Sequence, residues 1–118
     1  MDKKSIGQSG EQAAAAYLKD KGYKIIQANY RVAGAEVDLI ASTGDILCFI
    51  EVKTRKNCDH GSPEMFVTRP KQLKIIRAAR IFSARKPYRH SRVRFDVVSV
   101  LRTAEAMACD HLESAFEE

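Results

Sequence analysis

Charged side chains interrupt two apolar strand patterns in one part of the sequence, and this combination limits the possible folds more than any other feature. The stretch is residues 36–55, EVDLIASTGDILCFIEVKTR. The β-branched, aromatic and other large apolar residues of this stretch pack well on a pleated sheet. The Ser-Thr-Gly-Asp run at 42–45 favours a turn, so the stretch is typical of a β-hairpin. Asp38, Glu51 and Lys53 then lie inside apolar strands, where desolvating a charge is costly. These three charges need an explanation.

The remaining segments predict helices and strands around this hairpin. Ser5 and Gln8 have the spacing of a capping box, and Gly22 is a natural helix end. Thr68 can cap a second helix, which Pro87 ends. Because that helix separates the third strand from the fourth, the two strands are expected to be parallel neighbours. We predict an α/β fold with α-β-β-β-α-β order, formed by a helix at 6–21, strands at 23–32, 36–42 and 46–54, a helix at 69–86 and a strand at 92–101.

Length and composition predict a single domain over residues 1–118. The acidic segment 103–118 has a weak pattern, which leaves a helix and a short terminal strand both open. The longest apolar run, residues 13–18, is far shorter than the roughly 20 residues of a membrane span. Polar residues follow Lys3 and Lys4 where an export signal would be apolar. We therefore expect a cytoplasmic protein that does not associate with membranes.

Cysteine is sparse, with three residues and no disulfide framework, which suits a reducing compartment. The tripeptide Cys-Asp-His occurs twice, so that Cys58, His60, Cys109 and His111 could supply four zinc ligands. Since Cys-x-His is not a usual zinc-finger spacing, we favour coincidence over a zinc site.

Positive charge is concentrated in one part of the chain. The net charge is +5, but residues 69–94 contain ten Lys or Arg and no acid, whereas residues 103–118 contain five acids and no base. On the second helix, Lys74, Arg77 and Arg85 lie broadly opposite an apolar stripe. Such a face is a plausible footprint for a polyanion, most simply nucleic acid. A solvated helix face with a basic loop explains the charge about as well.

The hairpin brings its acidic residues together at one end. Asp38 and Glu51 lie on adjacent strands, and Lys53 shares the face of Glu51. Two neighbouring carboxylates repel unless a cation lies between them, and Mg²⁺ suits such oxygen ligands. Lys53 would then position or activate the water that attacks a phosphodiester. Glu11 falls on the packing stripe of the first helix and could add a ligand.

Each of these charges also has an ordinary structural explanation, and Glu36, which shares a face with Asp38, could replace it in the site. Taken singly, the ordinary explanations are favoured; together, on one hairpin that a basic helix follows, the residues favour a site. The ordinary explanations are an exposed ion pair between Glu51 and Lys53, pairing of Asp38 with Arg31 or Arg55, and a surface position for Glu11 near the positive end of its helix.

Motifs over nearly the whole chain resemble those of the YraN family of uncharacterised bacterial proteins. That family is predicted to have the restriction-endonuclease-like fold of the PD-(D/E)XK nuclease superfamily, and looks similar to archaeal Holliday-junction resolvases. The motifs are Gly7-x-x-Gly10-Glu11 with Ala14 and Leu18, Gly22-Tyr23, Asn29-Tyr30-Arg31, Glu36-Val37-Asp38-Leu39-Ile40, Phe49-Ile50-Glu51-Val52-Lys53-Thr54-Arg55, Lys71 with Ala78 and Ala79, Arg94-Phe95-Asp96-Val97-Val98 and Ala115-Phe116.

The resemblance assigns roles to individual residues. It implies catalysis by Glu11, Asp38, Glu51 and Lys53, with Mg²⁺ or Mn²⁺ held by Asp38, Glu51, Glu11 and the Val52 carbonyl. The family usually has glycine where this chain has Ala35, which could alter the entry to the strand. Resolvase-like relatives act as dimers, so a homodimer is one expectation, although no sequence feature identifies an interface. The residues expected to bind phosphates are Arg31, Arg55, Arg69, Lys71, Lys74 and Arg77.

Three functions follow from these observations. The leading hypothesis is a divalent-metal-dependent endonuclease that acts on DNA, with branched DNA as a candidate substrate. The second is a module that binds nucleic acid through the same fold without cutting it. The third is an interaction domain in which the acids form ion pairs.

Overall fold

The computed structural model describes residues 3–56 and 66–118. The predicted element order is confirmed, and the C-terminal segment forms a further strand. The elements are α1 (Lys3–Asp20), β1 (Lys24–Val32), β2 (Ala35–Thr43), β3 (Ile46–Arg55), α2 (Arg69–Ser83), a short 3-10 turn (Lys86–Tyr88), β4 (Arg92–Arg102) and β5 (Met107–Phe116).

The helix ends differ from the predicted ones. Because α1 already includes Lys3, Ser5 lies inside the helix and the predicted capping box is wrong. Thr68 occupies the N-cap position of α2, but its side chain makes no capping hydrogen bond with the described residues. The helix ends at Ser83, three residues earlier than expected, because Arg85 is extended at ψ 144° ahead of the turn that contains Pro87. At the end of α1, Gly22 has φ 94°, as expected of a helix-ending glycine.

The five described strands form one mixed sheet in the order β1-β2-β3-β4-β5. β1, β2 and β3 are an antiparallel meander, and β5 is antiparallel to β4. β3 and β4 are parallel, with Phe49 opposite Phe95 and Glu51 opposite Val97, as predicted. The carboxyl ends of β3 and β4 therefore lie at the same end of the sheet.

The two helices cover opposite faces of the sheet, which gives three layers. On one face, Ala14 and Leu18 of α1 pack with Leu39, Cys48 and Ile50. On the other face, α2 and the sheet share a larger cluster that is rich in aromatic rings. Its main members are Ile75, Ile76, Ala79 and Phe82 of the helix and Val37, Ile40, Leu47, Phe49, Phe95 and Val97 of the sheet.

A two-residue turn joins β1 and β2 and sets the entry to the acidic strand. Ala33 and Gly34 both have positive φ, 52° and 76°, which is the pattern of a type I′ hairpin turn. Ala35 follows in regular pairing with Val32 and is buried. Since Ala35 is not among the positive-φ residues, alanine fits this position without backbone strain.

A buried polar network fastens β5 to β4. Asp96 is fully buried, and its carboxylate receives hydrogen bonds from Arg94, His111 and the Ser114 amide. Burial alone would raise the pKa of Asp96, but these three donors outweigh it and the pKa is lowered. The other ring nitrogen of His111 contacts Lys21 Nζ at 2.7 Å, so both nitrogens are engaged within the protein. The first copy of the repeated tripeptide, residues 58–60, lies outside the described residues, so coincidence remains our interpretation of the repeat.

None of the helices that the structure describes is long and apolar enough to cross a membrane.

Candidate active site

The site forms where β2 and β3 separate. Their backbone pairing runs from Thr43 and Ile46 to Leu39 and Ile50 and goes no further. Beyond that point the Val52 amide donates a hydrogen bond to Asp38 Oδ2 at 2.8 Å, so a side chain replaces the next rung of the ladder. The divergence leaves a gap between the strands, and Asp38 lies in it.

Side chains of β2 alternate between the two faces of the sheet, and this alternation shifts by one residue at Asp38. Val37 packs in the same cluster as Ile40, on the α2 face, whereas Leu39 packs on the α1 face. Asn29 of β1 lies between the residues that pair with Leu39 and Val37, and it has a φ of 54°. The distortion thus involves both strands, and it accompanies the turn of Asp38 toward Glu51.

Asp38 and Glu51 form a coupled acid pair, as the hairpin pattern predicts. The Glu51 side chain is 5% exposed, and its carboxyl group lies close enough to that of Asp38 to affect its ionisation. Burial raises the pKa of Asp38 to about 8, and the hydrogen bond and charge of Glu51 act in the same direction. The Val52 amide opposes the shift, because it stabilises the ionised form. Burial and the neighbouring carboxyl group thus favour the protonated form of Asp38.

Lys71, from the first turn of α2, reaches the acid pair. Its ammonium forms an ion pair with Glu51 Oε2, although the Lys71 side chain as a whole is 55% exposed. Burial would lower the pKa of Lys71, but the contact with Glu51 outweighs it and the pKa is raised. Lys71 is thus a counter-ion of the acid pair.

The acids open into a cavity of about 430 Å³ between α2 and the start of β2. Both acidic and basic side chains line this cavity, which has an opening to solvent. Lys74 reaches it from the turn of α2 that follows Lys71, and Glu36 reaches it from β2. The described residues that line it are Gly34, Ala35, Glu36, Asp38, Glu51, Thr68, Pro70, Lys71, Lys74 and Ile75.

Glu11 is not among the described residues that line this cavity; it lines a separate pocket with Ala15, Asn29 and Leu39. Its carboxyl group hydrogen-bonds Asn29, and its pKa is raised by burial first and by the charges of Glu36 and Glu51 next. Across the described residues, no group of three or more His, Cys, Asp or Glu side chains is close enough to hold a metal ion. Glu11 is thus within electrostatic range of the acid pair but is not brought into a three-carboxylate cluster with it.

The other residues singled out in the sequence are spread around the site. Lys53 is half-buried and is not among the described residues that line the cavity. Arg31 pairs with Glu36 at 3.4 Å, and Arg55 is half-buried. On α2, Arg69 donates to Gln72 and to the Glu117 carbonyl, and Arg77 donates to the Ala33 carbonyl at 3.4 Å. Of the six predicted phosphate-binding residues, the structure brings Lys71 and Lys74 to the acids.

The residues present fit a small, hard divalent cation. Asp38 and Glu51 offer carboxylate oxygens, and the buried Glu51 Oε2 already lies against a cation, the Lys71 ammonium, so positive charge is accommodated at this position. Amide and carbonyl of one strand residue point to the same edge of the strand, so the Val52 carbonyl faces the gap as its amide does. Two carboxylates and a carbonyl with several waters are a typical Mg²⁺ environment.

Sequence reasoning missed the contact between Lys71 and Glu51. It placed Lys71 among the phosphate-binding residues and gave Lys53 the position beside the acids. A usable signal was present, because Leu47, Phe49 and Glu51 share one face of β3 and the apolar stripe of α2 must cover that face. The first turn of α2 then lies over the charged end of β3.

Comparison with known proteins gives one family and one fold. The model of the uncharacterised protein family UPF0102 matches residues 10–100. A UPF0102 protein of Dictyoglomus turgidum is 38% identical over 98% of the chain and 100% of its own length. Another, from Chlorobium limicola, is 47% identical over 96% of the chain and 86% of its own length. The 1.6 Å structure of a Holliday junction resolvase from the archaeal hyperthermophile Archaeoglobus fulgidus superimposes with a TM-score of 0.54 at 20% identity, over 91% of this chain and 76% of that one.

Proposed function

The chain belongs to the uncharacterised protein family UPF0102, the YraN family, and we propose that it is a divalent-metal-dependent endonuclease that hydrolyses phosphodiesters of DNA. Its restriction-endonuclease-like fold, shared with the resolvase, supports the reaction class. The observation that carries the proposal is the pair of coupled carboxyl groups, Asp38 and Glu51, in the gap between two strands and beside a basic helix. Branched DNA is the substrate to test first, because the matching structure is that of a Holliday junction resolvase.

Asp38, Glu51 and the Val52 carbonyl would hold the metal ion, which is Mg²⁺ or Mn²⁺ in this proposal. When bound, such an ion supplies positive charge that favours ionisation of water and offsets the charge that develops on the phosphate. The Val52 amide holds Asp38 in place at 2.8 Å, which fixes one ligand before any ion arrives. Glu11 assists from α1 through its charge or through a water molecule.

The basic residues of the chain would orient the substrate. Lys74 at the cavity, with Arg77 and Arg69 along α2, would bind phosphates on either side of the cleaved bond. Lys53 would position the water. In hydrolysis the oxygen of that water bonds to phosphorus, the bond from phosphorus to the leaving sugar oxygen breaks, and a water proton passes to the leaving oxygen or to solvent. The products are a phosphomonoester and a free hydroxyl group.

A cleavage panel tests this proposal. Single-stranded, duplex, flap and four-way-junction DNA are incubated with Mg²⁺, with Mn²⁺ and with EDTA. We expect metal-dependent cleavage that falls at least about a hundredfold in Glu51→Ala, since both the metal and its charge are lost. Cleavage by Lys53→Ala should fall less, by about ten- to a hundredfold, if the Lys53 side chain only positions the water. Glu105→Gln removes an exposed acid in the turn between β4 and β5 and serves as the control. Cleavage that survives Glu51→Ala unchanged would refute the assignment.

A second function, binding of nucleic acid without cleavage, is favoured by one observation. Glu51 already has a counter-ion in Lys71, so the fold can neutralise its buried acid without a metal ion. This alternative predicts retention of DNA that weakens steeply with salt, and no cleavage with any divalent ion. The same panel, with binding measured beside cleavage, separates the two functions.

A further inference from the structure

The contact between Lys71 and Glu51 involves the oxygen that a metal ion would need. Glu51 Oε2 is buried, and the Lys71 ammonium is the cation against it. The other donor near the pair, the Val52 amide, bonds to Asp38. An ammonium group and a divalent ion compete for the same lone pairs of one carboxylate oxygen, and their like charges repel at short range. Lys71 and a metal ion therefore cannot both lie against Glu51 Oε2.

The two partners of this ion pair differ in their freedom to move. Glu51 is 5% exposed and is held in the sheet between β2 and β4. The Lys71 side chain is 55% exposed, lies in the first turn of α2 and has a flexible four-carbon stem. If the pair separates, the Lys71 side chain moves and Glu51 stays. Lys74, one helical turn further along, lies at the same cavity, where a phosphate would be held.

We infer that Lys71 and the divalent metal ion are alternative counter-ions of Glu51, and that metal binding releases Lys71 to bind a phosphate of the nucleic acid. Lys71 thus keeps the buried acid neutralised when no metal is present. Once released, it adds a second ammonium beside Lys74 at the mouth of the cavity. Metal and nucleic acid then bind cooperatively, because the first ligand supplies the group that the second one contacts. This inference rests on the proposed metal site and adds the step that couples it to the substrate.

Chemical modification of lysine tests the release directly, in the wild-type protein and without any cleavage assay. The protein is treated briefly with acetic anhydride, in EDTA or in saturating Mn²⁺, and acetylation of each lysine is measured by mass spectrometry. An amine held in an ion pair reacts slowly. We expect the rate at Lys71 to rise about fivefold on addition of Mn²⁺, the size of change that corresponds to loss of one ion pair. Lys74 lines the same cavity and is the internal control, and its rate should change less than about twofold.

Two variants make the result specific. In Glu51→Gln the ion pair is absent, so Lys71 should react rapidly in EDTA and gain nothing from Mn²⁺. Lys71→Met keeps the apolar stem of the side chain but removes the charge. Wild-type protein should bind four-way-junction DNA about fivefold more tightly in Ca²⁺, which is expected to bind without supporting cleavage, than in EDTA. Lys71→Met should lose this enhancement, whereas Lys74→Met should keep it at a lower overall affinity.

The failures of the inference and of the proposed function are distinguishable by calorimetric titration with Mn²⁺. One outcome is that Mn²⁺ binds to the wild type, fails to bind to Asp38→Asn, and leaves the acetylation rate of Lys71 unchanged. The exchange of Lys71 for the metal ion at Glu51 is then overturned, and the metal site stands. If Mn²⁺ binds equally to wild type and Asp38→Asn, the metal site and the exchange both fall. A Lys71 rate that rises with Mn²⁺ and stays low in Glu51→Gln would also contradict the exchange.

Discussion

Asp38 is the residue at which stability and the proposed chemistry conflict most directly. A carboxyl group in an apolar strand costs free energy when it ionises, and Glu51 beside it increases that cost. The Val52 amide recovers only part of it, since the pKa of Asp38 stays raised. A neutral side chain of the same shape would keep the hydrogen bond and avoid the cost. Functional sites are often built from residues that a stability optimum would replace.

The pH dependence of the metal-free protein follows from this pKa. Asp38 has a pKa of about 8 in the folded protein, against an ordinary value of 3.8, so folding favours its protonated form. The stability that the proton provides is full below pH 4, declines as pH rises through the interval up to about 8, and is absent above it. In EDTA the free energy of unfolding should fall by at least about 1.4 kcal/mol between pH 5 and pH 8, the equivalent of one pKa unit. Urea denaturation at several pH values measures this decline.

Asp38→Asn should remove most of the fall in the free energy of unfolding between pH 5 and pH 8. At pH 8 in EDTA this variant should be more stable than wild type. Asp110→Asn makes the same change at an exposed position of β5 and should leave the pH profile as it is. Addition of Mg²⁺ at pH 8 should stabilise wild type and not Asp38→Asn. A wild-type stability that is flat from pH 5 to pH 8 would be inconsistent with a protonated acid pair.

Among the secondary-structure elements, α1 approaches the sheet closely at Gly10. A Cβ at this position would overlap Thr54 Oγ1 and lie 3.1 Å from Thr54 Cβ, so only glycine allows this approach. Gly10 precedes Glu11, and Thr54 follows Lys53 on β3. The contact therefore fixes the distance between the two elements that carry these side chains.

Gly10→Ala should destabilise the protein although alanine is the better helix former. Overlap with a β-branched side chain costs about 1–3 kcal/mol, which exceeds the gain in helix propensity of about 1 kcal/mol. Thr54→Ala removes Oγ1 and Cγ2 and opens the space, so the double variant should be more stable than the sum of the two single effects predicts. Denaturation of all four proteins gives the coupling. Strict additivity would show that α1 does not pack on Thr54 in this way.

The hairpin could be predicted from sequence because its signals are local. Apolar residues alternate along β3, and turn residues mark both ends of β2, so the predicted strand ends agree with the observed ones within one residue. β5 could not be predicted, since most of its side chains are exposed and Phe116 is its one buried hydrophobic residue. The strand is instead fixed by the contacts of Asp96, which are remote in the sequence.

The candidate site also contains one part that the sequence predicts and other parts that it does not. The meeting of Asp38 and Glu51 follows from two strands joined by a short turn, and the sequence predicts it. The contact of Lys71 with Glu51 depends on where α2 docks across the sheet, so no local pattern specifies it. The shift in alternation at Asp38 also depends on the neighbouring strand, through the positive φ of Asn29.

Across the whole protein, the segregation of charge along the chain is partly cancelled by the fold. Residues 69–94 are basic and residues 103–118 are acidic, yet the end of β5 comes back to α2. Arg80 pairs with Glu118 at 3.2 Å, and Arg69 donates to the Glu117 carbonyl at 3.1 Å. These acids reduce the positive potential of the face that is proposed to bind DNA. A phosphate that binds Arg80 must first displace Glu118.

Glu118→Gln should therefore strengthen DNA binding. The pair with Arg80 is exposed and is worth up to about 1 kcal/mol, so the affinity should rise by up to about fivefold at low salt. With Arg80 free to contact a phosphate, the slope of log affinity against log salt should steepen by about one unit. Fluorescence anisotropy with labelled duplex DNA at several salt concentrations measures both quantities.

Glu105→Gln removes the same charge from the turn between β4 and β5, so it should raise affinity slightly through long-range potential and leave the slope unchanged. Equal effects of the two variants would mean that net charge, and not the contact with Arg80, limits binding.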